Sequence, residues 1–395
     1  MERKDPSPYP SPGIPGEGIK HSKSGARRFQ LPRSVYNPRM VTQIVRPSVR
    51  QMQGYSPGEQ PADGERVVKL NTNENPYAPS ERVMAAIAGI SAETLRRYPN
   101  PTADVFRDAA AKLHNVSRQQ IIAGNGSDDI LTIATRCFIS PGGKLAFPEP
   151  TYSLYTVLAQ LEEAKAVSVP WESDWALPID GLLAAGPDAI YLANPNAPSG
   201  TFVPPMKVAE LAKNFRGLLL IDEAYVDFAD DNCLPLVQQF ANVVITRSLS
   251  KAYSLAGLRF GYAVAQPAVI AQMMKVKDSY NCDAVSMLAA AAALEDQAYA
   301  RSTWENVKSE RARVSAELTQ LGWTVLPSQA NFVLAGVPGG RGKEMYLGLK
   351  NQGILVRHFD ATGLADKLRI TIGQSNENNA LLAGIKMLTA AGKAA

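Results

Sequence analysis

Residues 189–225 read AIYLANPNAPSGTFVPPMKVAELAKNFRGLLLIDEAY, and this stretch decides the architecture. Ala189 to Ala193 is a short apolar run of strand length. Pro205 to Phe215 has apolar residues at helical spacing behind a proline suited to a first helical turn, and Leu218 to Ile221 is apolar again. Strand, helix and strand in succession form a βαβ unit, which makes the neighbouring strands parallel. The alternation continues in both directions. Further strands are expected at Ile121 to Ala123, Lys144 to Phe147, Ala166 to Val169, Val243 to Thr246 and Arg259 to Val264, with helices at Ala103 to His114, Asp129 to Phe138 and Ser153 to Glu162. The expectation is an α/β fold whose mainly parallel sheet lies between helices. From about Asp283 the pattern changes to a long helix, Gln297 to Leu321, two strand candidates, Asn331 to Leu334 and Leu368 to Ile372, and a closing helix. This reads as a second, smaller α+β domain.

A length of 395 residues allows two or three domains, and 45% hydrophobic with 20% charged residues is an ordinary soluble composition that excludes collagenous and coiled-coil classes. The longest apolar run, Met287 to Leu294, is far too short to cross a bilayer, so no membrane partner is expected. Cys137, Cys233 and Cys282 lie far apart, as do His21, His114 and His358; neither a disulfide framework nor a metal site is expected, and the compartment implied is the reducing cytoplasm. The net charge of +4 hides an asymmetry: residues 1–50 carry +7 and the remainder −3. Pro6, Pro8, Pro10, Pro12 and Pro15 make the basic segment a disordered tail by expectation. Sharper readings are a targeting peptide, which the prolines oppose, a nucleic-acid arm, which sparse aromatics oppose, or translation starting at Met40.

Open α/β sheets place ligands at the carboxyl ends of their strands. Four segments fall there. In Thr246-Arg-Ser-Leu-Ser-Lys251, followed by Arg259 eight residues on, Lys251 is either a surface lysine or a Schiff-base amine beside phosphate donors. In Leu218-Leu-Leu-Ile-Asp-Glu-Ala-Tyr225, Asp222 at a strand end is a helix cap, a Mg²⁺ ligand or the partner of a protonated ring nitrogen; the chain has no GxxxxGK[ST] loop to go with the Mg²⁺ reading. Gly124-Asn-Gly-Ser-Asp128 opens a helix and is an anion-binding turn, or a plain cap through Ser127 or Asp128. Pro150-Thr-Tyr-Ser-Leu-Tyr155 presents Tyr152 as core or as a stacking platform.

Taken in order, these segments resemble the aspartate aminotransferase fold family (fold type I) of pyridoxal-phosphate enzymes, and within it the histidinol-phosphate aminotransferases. The likeness runs from about Val45 to the C-terminus and is carried also by Gln53-Gly-Tyr-Ser-Pro57, Lys69-Leu-Asn-Thr-Asn-Glu-Asn-Pro76, Arg97-Tyr-Pro-Asn-Pro101, Leu255-Ala-Gly-Leu-Arg259 and Leu368-Arg-Ile-Thr-Ile-Gly373. The resemblance implies pyridoxal 5'-phosphate as cofactor, with Lys251, Asp222 and Tyr225 catalytic. It implies that Asp222 meets the ring nitrogen, Tyr225 the ring oxygen and Tyr152 the ring face, while Ser127, Asp128, Ser248, Ser250 and Arg259 take the phosphate. Tyr98 would reach the phosphate of the other subunit, which implies a homodimer with shared active sites. Tyr55, Asn73, Arg357 and Arg369 would bind substrate, Arg369 through the carboxylate of glutamate or 2-oxoglutarate and Arg357 through the phosphate of histidinol phosphate.

One position departs from the family pattern, because Asn194-Pro-Asn-Ala-Pro-Ser-Gly200 puts Ala197 where the family has an asparagine near the ring oxygen; Asn194 or Asn196 is left as the substitute. The implied organisation is a tail (residues 1–44), an N-terminal segment packing with the small domain (45–75), a large cofactor domain (76–290) and a small domain (291–395). Transamination of histidinol phosphate is the function implied, with an aromatic aminotransferase or a phosphothreonine-type decarboxylase as alternatives.

Overall fold

The apolar runs pair into sheets because strands buried on both faces need no polar alternation. The computed structural model describes residues 43–394 apart from 56, 57, 63 and 65; the readings of the basic tail fall outside the described residues. The strands are β1 Val68–Lys69, β2 Ile121–Gly124, β3 Lys144–Glu149, β4 Lys165–Pro170, β5 Ala189–Ala193, β6 Leu218–Asp222, β7 Val243–Ser248, β8 Gly261–Ala265, β9 Thr324–Val325, β10 Phe332–Gly336, β11 Ile354–Leu355, β12 Arg357–His358 and β13 Lys367–Thr371. The helices that matter to the site are α1 Asp104–His114, α2 Ser127–Phe138, α3 Leu154–Leu161, α4 Pro205–Asn214, α5 Leu249–Ala252, α6 Pro267–Val276, α7 Ala284–Glu295, α8 Gln297–Gln320, α9 Gly342–Asn351 and α10 Ser375–Ala394.

A seven-stranded sheet has the order β2-β8-β7-β6-β5-β3-β4. Its pairs are parallel from β7 through β4, while β8 runs antiparallel to both β2 and β7. The strand expected from Arg259 starts instead at Gly261, because Arg259 sits in the left-handed region at φ 52° and ends a short 3-10 turn. Side chains alternate between two cores. Ile122, Leu145, Tyr191, Leu220 and Val244 pack under α2, α3 and α6, whereas Ile121, Ala146, Ile190, Leu219 and Ile245 pack with α1, α4 and α7. The apolar octet Met287 to Leu294 lies in α7, and Met287, Ala289, Ala290, Ala291, Ala293 and Leu294 are buried there. Truncating a central residue such as Leu220 to alanine would cost about 2–5 kcal/mol in lost contacts and cavity.

A second, four-stranded antiparallel sheet has the order β12-β13-β10-β9, and β1 pairs in parallel with β11. Residues 47–395 form one compact unit. The register between β12 and β13 sets Arg357 directly opposite Arg369.

Candidate active site

The turn from β2 into α2 brings backbone donors to the edge of the sheet. Gly126 precedes the helix at φ 86°, which favours glycine, and a Cβ there would stand 2.8 Å from Nη2 of Arg259. On the adjacent strand, a Cβ on Gly261 would collide with the Ser127 nitrogen and the Gly126 carbonyl carbon. Two backbones therefore meet where no side chain fits. Neither Ser127 nor Asp128 caps α2, since the cap position is Gly126; Asp129 Oδ2 takes the Asn125 N–H at 2.9 Å instead. The first-turn amides of Ser127 and Asp128 lack intrahelical acceptors by the rule of helix ends, so they face a prospective anion. Arg259 stands over this turn. It donates through Nη1 to Ser250 Oγ at 3.3 Å and to the Ala256 carbonyl at 3.2 Å, and its Nη2 lies 3.6 Å from Asp128 Oδ2. Ser248, at the end of β7, accepts the Ser250 N–H at 3.2 Å.

Asp222 ends β6 and is 5% exposed. Its Oδ2 accepts the Tyr155 hydroxyl at 3.0 Å and its Oδ1 the Ala224 N–H at 3.2 Å. Burial pushes its carboxyl up to about 7 despite those donors. Tyr152 packs edge-on to Tyr155 and to Tyr55, at centroid separations of 5.7 and 5.8 Å, and donates to Asp128 Oδ1 at 3.1 Å. Burial, followed by the Asp128 charge, raises the Tyr152 phenol well above its ordinary value, so it is protonated at any working pH.

Lys251 sits in α5 and donates Nζ to the Thr72 carbonyl at 3.1 Å. Burial, and then the Arg369 charge, lowers its ammonium to about 8. Such an amine is partly neutral near pH 8, which a nucleophile requires. The segment that supplies Thr72 also carries Asn73, held in the left-handed region at φ 58°, whose Nδ2 donates to the Tyr225 hydroxyl at 3.0 Å. Tyr225 rests edge-on against Phe332 of β10 at 5.0 Å. Thr371 Oγ1 accepts the Asn73 N–H at 3.0 Å and donates to its Oδ1 at 3.1 Å.

The two arginines share a shelf. The guanidinium carbons of Arg357 and Arg369 each lie 5.5 Å from the centre of the Phe359 ring, and Arg369 is also 5.4 Å from Phe332. Arg369 Nη2 donates to the Asn71 carbonyl at 2.9 Å, and its Nε is a buried donor with no hydrogen-bond partner in the structure. Burial lowers the Arg369 pKa, with Arg357 adding to the effect. An anion seated between the pair would relieve that unfavourable arrangement.

Two further positions lie outside the cluster around Lys251. Tyr98 is 82% exposed and stacks on Tyr280 at 4.6 Å, on a groove it shares with Arg97, Val105 and Met287; the contact expected of it is with another subunit. Asn194 and Asn196 are both hydrogen-bonded to other parts of the protein. Asn194 exchanges two hydrogen bonds with the Val203 backbone, at 2.8 and 2.9 Å, and Asn196 engages Pro150, Thr151 and Ser199. Among the described residues neither side chain hydrogen-bonds Tyr225. Ala197 instead packs with Ala330, Phe332 and Tyr225. Sequence reasoning missed Tyr155, although its i+3 spacing from Tyr152 was the signal; it also missed Thr72 and Phe359, a bare carbonyl and a ring whose roles depend on long-range register.

The geometry therefore combines an anion turn, a buried carboxylate, a lysine of lowered pKa and an arginine pair. A family model described as aminotransferase class I and II matches residues 65–385. The chain belongs to the class I and II aminotransferases, and it is a pyridoxal-phosphate-dependent enzyme. At finer resolution, its relatives include histidinol-phosphate aminotransferase 1 of Trichormus variabilis, 45% identical over 88% of this chain and 99% of that one. The histidinol-phosphate aminotransferase of Rhodopirellula baltica is 44% identical over 85% of this chain and 93% of its own. Among solved structures, histidinol-phosphate aminotransferase from Sinorhizobium meliloti in complex with pyridoxal 5'-phosphate superposes with a TM-score of 0.80 at 26% identity, covering 87% of this chain and 98% of that one.

The residues present fit that cofactor. The glycine-lined cradle at Gly126 and Gly261 has room for a phosphate only because no Cβ intrudes, and the donor set around it (backbone amides, two serines and a guanidinium) is chemically suited to an anion. Asp222 and Lys251 offer a buried acceptor and a readily deprotonated amine.

Proposed function

We propose that the protein transfers an amino group from L-histidinol phosphate to 2-oxoglutarate, giving imidazole-acetol phosphate and glutamate, as a cytoplasmic step of histidine biosynthesis. The observation that carries this reading is the Arg357–Arg369 pair across β12 and β13. Two forked guanidiniums over one aromatic shelf suit a donor that bears a phosphate and an acceptor that bears carboxylates. The relatives named above support the same substrate.

When bound, pyridoxal phosphate supplies a conjugated ring that accepts the electrons left when the substrate's Cα proton departs. The chain's own residues do the rest in this reading. Lys251 Nζ would tether the cofactor through its aldehyde carbon and, once freed by substrate, would take the substrate's Cα proton and deliver it to that cofactor carbon. Its lowered pKa favours the neutral base near pH 8. Asp222 accepts a hydrogen bond from the ring nitrogen, and Tyr225, steadied by Asn73, donates to the ring oxygen. Tyr152 covers the ring face. The amides of Ser127 and Asp128, the hydroxyls of Ser248 and Ser250 and the Arg259 guanidinium hold the phosphate. Arg357 and Arg369 orient the substrates, while Tyr55 and Asn73 close the pocket. A homodimer in which Tyr98 reaches the partner's phosphate belongs to the same reading, with a large domain over residues 76–290 and a small one over 291–395.

The test is substrate profiling of purified protein with 2-oxoglutarate as acceptor. Histidinol phosphate should exceed phenylalanine and phosphothreonine in kcat/KM, Lys251→Ala should abolish turnover, and borohydride should fix the cofactor on the peptide containing Lys251. A clear preference for phenylalanine, or release of carbon dioxide from phosphothreonine, would overturn the substrate assignment.

A further inference from the structure

Tyr155 stands one layer behind the residues assigned to the cofactor. Its ring is fully buried at the start of α3, edge-on to Tyr191 at 5.4 Å and to Tyr152 at 5.7 Å, and tilted against Phe147 at 5.9 Å. These rings leave its hydroxyl pointing at Asp222 Oδ2, 3.0 Å away. Tyr191 does not compete for that bond, because its own hydroxyl pairs with Thr135 Oγ1 at 2.9 Å. Asp222 thus receives one donor on each oxygen, Tyr155 on Oδ2 and Ala224 on Oδ1. Its other charged and titratable neighbours are Asp128 on α2, Glu223 beside it, and Tyr152 and Tyr225 on the flanking loops; the two carboxylates both disfavour its ionised form.

We propose that Tyr155 is a positioning residue that keeps Asp222 ionised and aimed, so that the carboxylate remains an acceptor toward the cofactor's ring nitrogen. The inference rests on the reading above in which Asp222 meets that nitrogen. A buried carboxylate next to two others would otherwise take up a proton, and a protonated Asp222 would leave the ring nitrogen uncharged and a poorer sink for electrons. A hydrogen bond to a charged group is strong enough to shift that balance by about ten- to a hundredfold. The phenol is suited to the task because it donates a proton without being charged, and burial raises its own pKa far out of the working range.

The test is Tyr155→Phe in cofactor-loaded enzyme, with Tyr191→Phe as a control that removes a hydroxyl from the same aromatic cage. Two readouts accompany turnover: the pH midpoint of the visible absorption change, and the affinity of stripped protein for pyridoxal phosphate and for its 1-deaza analogue, which has carbon in place of the ring nitrogen. Tyr155→Phe should raise the midpoint by about one pH unit, lower kcat by about tenfold or more with little change in KM, and weaken pyridoxal phosphate but not the deaza analogue. Tyr191→Phe should leave the midpoint in place. A wild-type midpoint in Tyr155→Phe, or equal weakening of both cofactors, would overturn the proposal and leave Tyr155 as packing. A wild-type protein that binds pyridoxal phosphate and its deaza analogue equally well would instead overturn the pairing of Asp222 with the ring nitrogen, and this inference with it.

Discussion

Removing the Arg247 charge should destabilise the protein more than almost any other single change near the site. Arg247 lies in β7 next to Ser248, and Glu223 follows Asp222 at the end of β6. Their side chains are 10% and 0% exposed, and the guanidinium grips Glu223 Oε2 through Nη2 at 2.7 Å and Nε at 2.9 Å. The Cys233 N–H donates to the other oxygen, Oε1. Arg247→Met strands one buried carboxylate with a single backbone donor, and breaking such a pair costs about 3–5 kcal/mol. Asp227 adds a pH signature. Burial raises its carboxyl to about 6, while Arg247 pulls it down. A carboxyl raised in the folded state contributes stability that is fully present below its unfolded pKa and is lost as pH rises through the folded one. Without Arg247 the folded pKa of Asp227 climbs further, so the deficit of Arg247→Met should be larger at pH 8 than at pH 5. The double variant Glu223→Leu/Arg247→Met removes both charges and should recover about 2 kcal/mol or more relative to Arg247→Met alone. Equilibrium urea unfolding at the two pH values measures all of this. A deficit below about 1 kcal/mol, typical of an exposed pair, or one that does not change with pH, would refute the reasoning, as would strict additivity of the two changes.

Gly261→Ala should lower the affinity for pyridoxal phosphate by tenfold or more, because its methyl group must displace the Ser127 amide; titration of stripped protein reads this directly. Mixing Tyr98→Phe subunits with Lys251→Ala subunits should restore activity above the sum of the two parents if sites are shared, since one site of each heterodimer then carries neither change. Starting the chain at Met40 should leave turnover and cofactor content unchanged, because each residue assigned a role lies at Tyr55 or later; a raised KM would contradict it.

The central strands of the large sheet were legible because they are buried on both faces and therefore read as short continuous apolar runs, unlike the largely exposed edge strand β4; Ala189 to Ala193 keeps its bounds, and β6 and β7 only gain one or two polar residues at their carboxyl ends. Those added residues, Asp222 and the Arg247-Ser248 pair, are where the chemistry sits, since hydrogen bonding continues past the apolar run to the ligand edge. Two-residue strands such as β1, β11 and β12 have no periodicity to detect. The pairing of Arg357 with Arg369 was hidden for the same reason: it depends on the register β12 takes after a connecting turn, not on either residue's neighbours. The sequence left Asn194 and Asn196 as alternatives at the ring oxygen; the fold gives Asn194 the Val203 backbone and Asn196 the segment at Pro150 and Thr151, partners that only long-range packing reveals.

The segment from Lys69 to Asn75 explains why the two sheets act on one site. Its start belongs to β1, but from Asn71 onward it has no repeating hydrogen-bond pattern of its own, so its polar groups must find partners far along the chain. The Asn71 carbonyl takes Arg369, the Thr72 carbonyl takes Lys251, Asn73 bonds Tyr225 and Thr371, and Asn75 Nδ2 reaches the Ala252 carbonyl at 3.2 Å. Asparagine tolerates the left-handed backbone at position 73 better than a β-branched residue would, which lets the strap reverse over the strand ends without leaving its side chain behind. One carbonyl thus holds Arg369 of the small sheet, and the next holds Lys251 beyond the end of β7. Arg369 and Lys251 are thereby fixed to two consecutive peptide units of a single segment, which holds the two groups in one register.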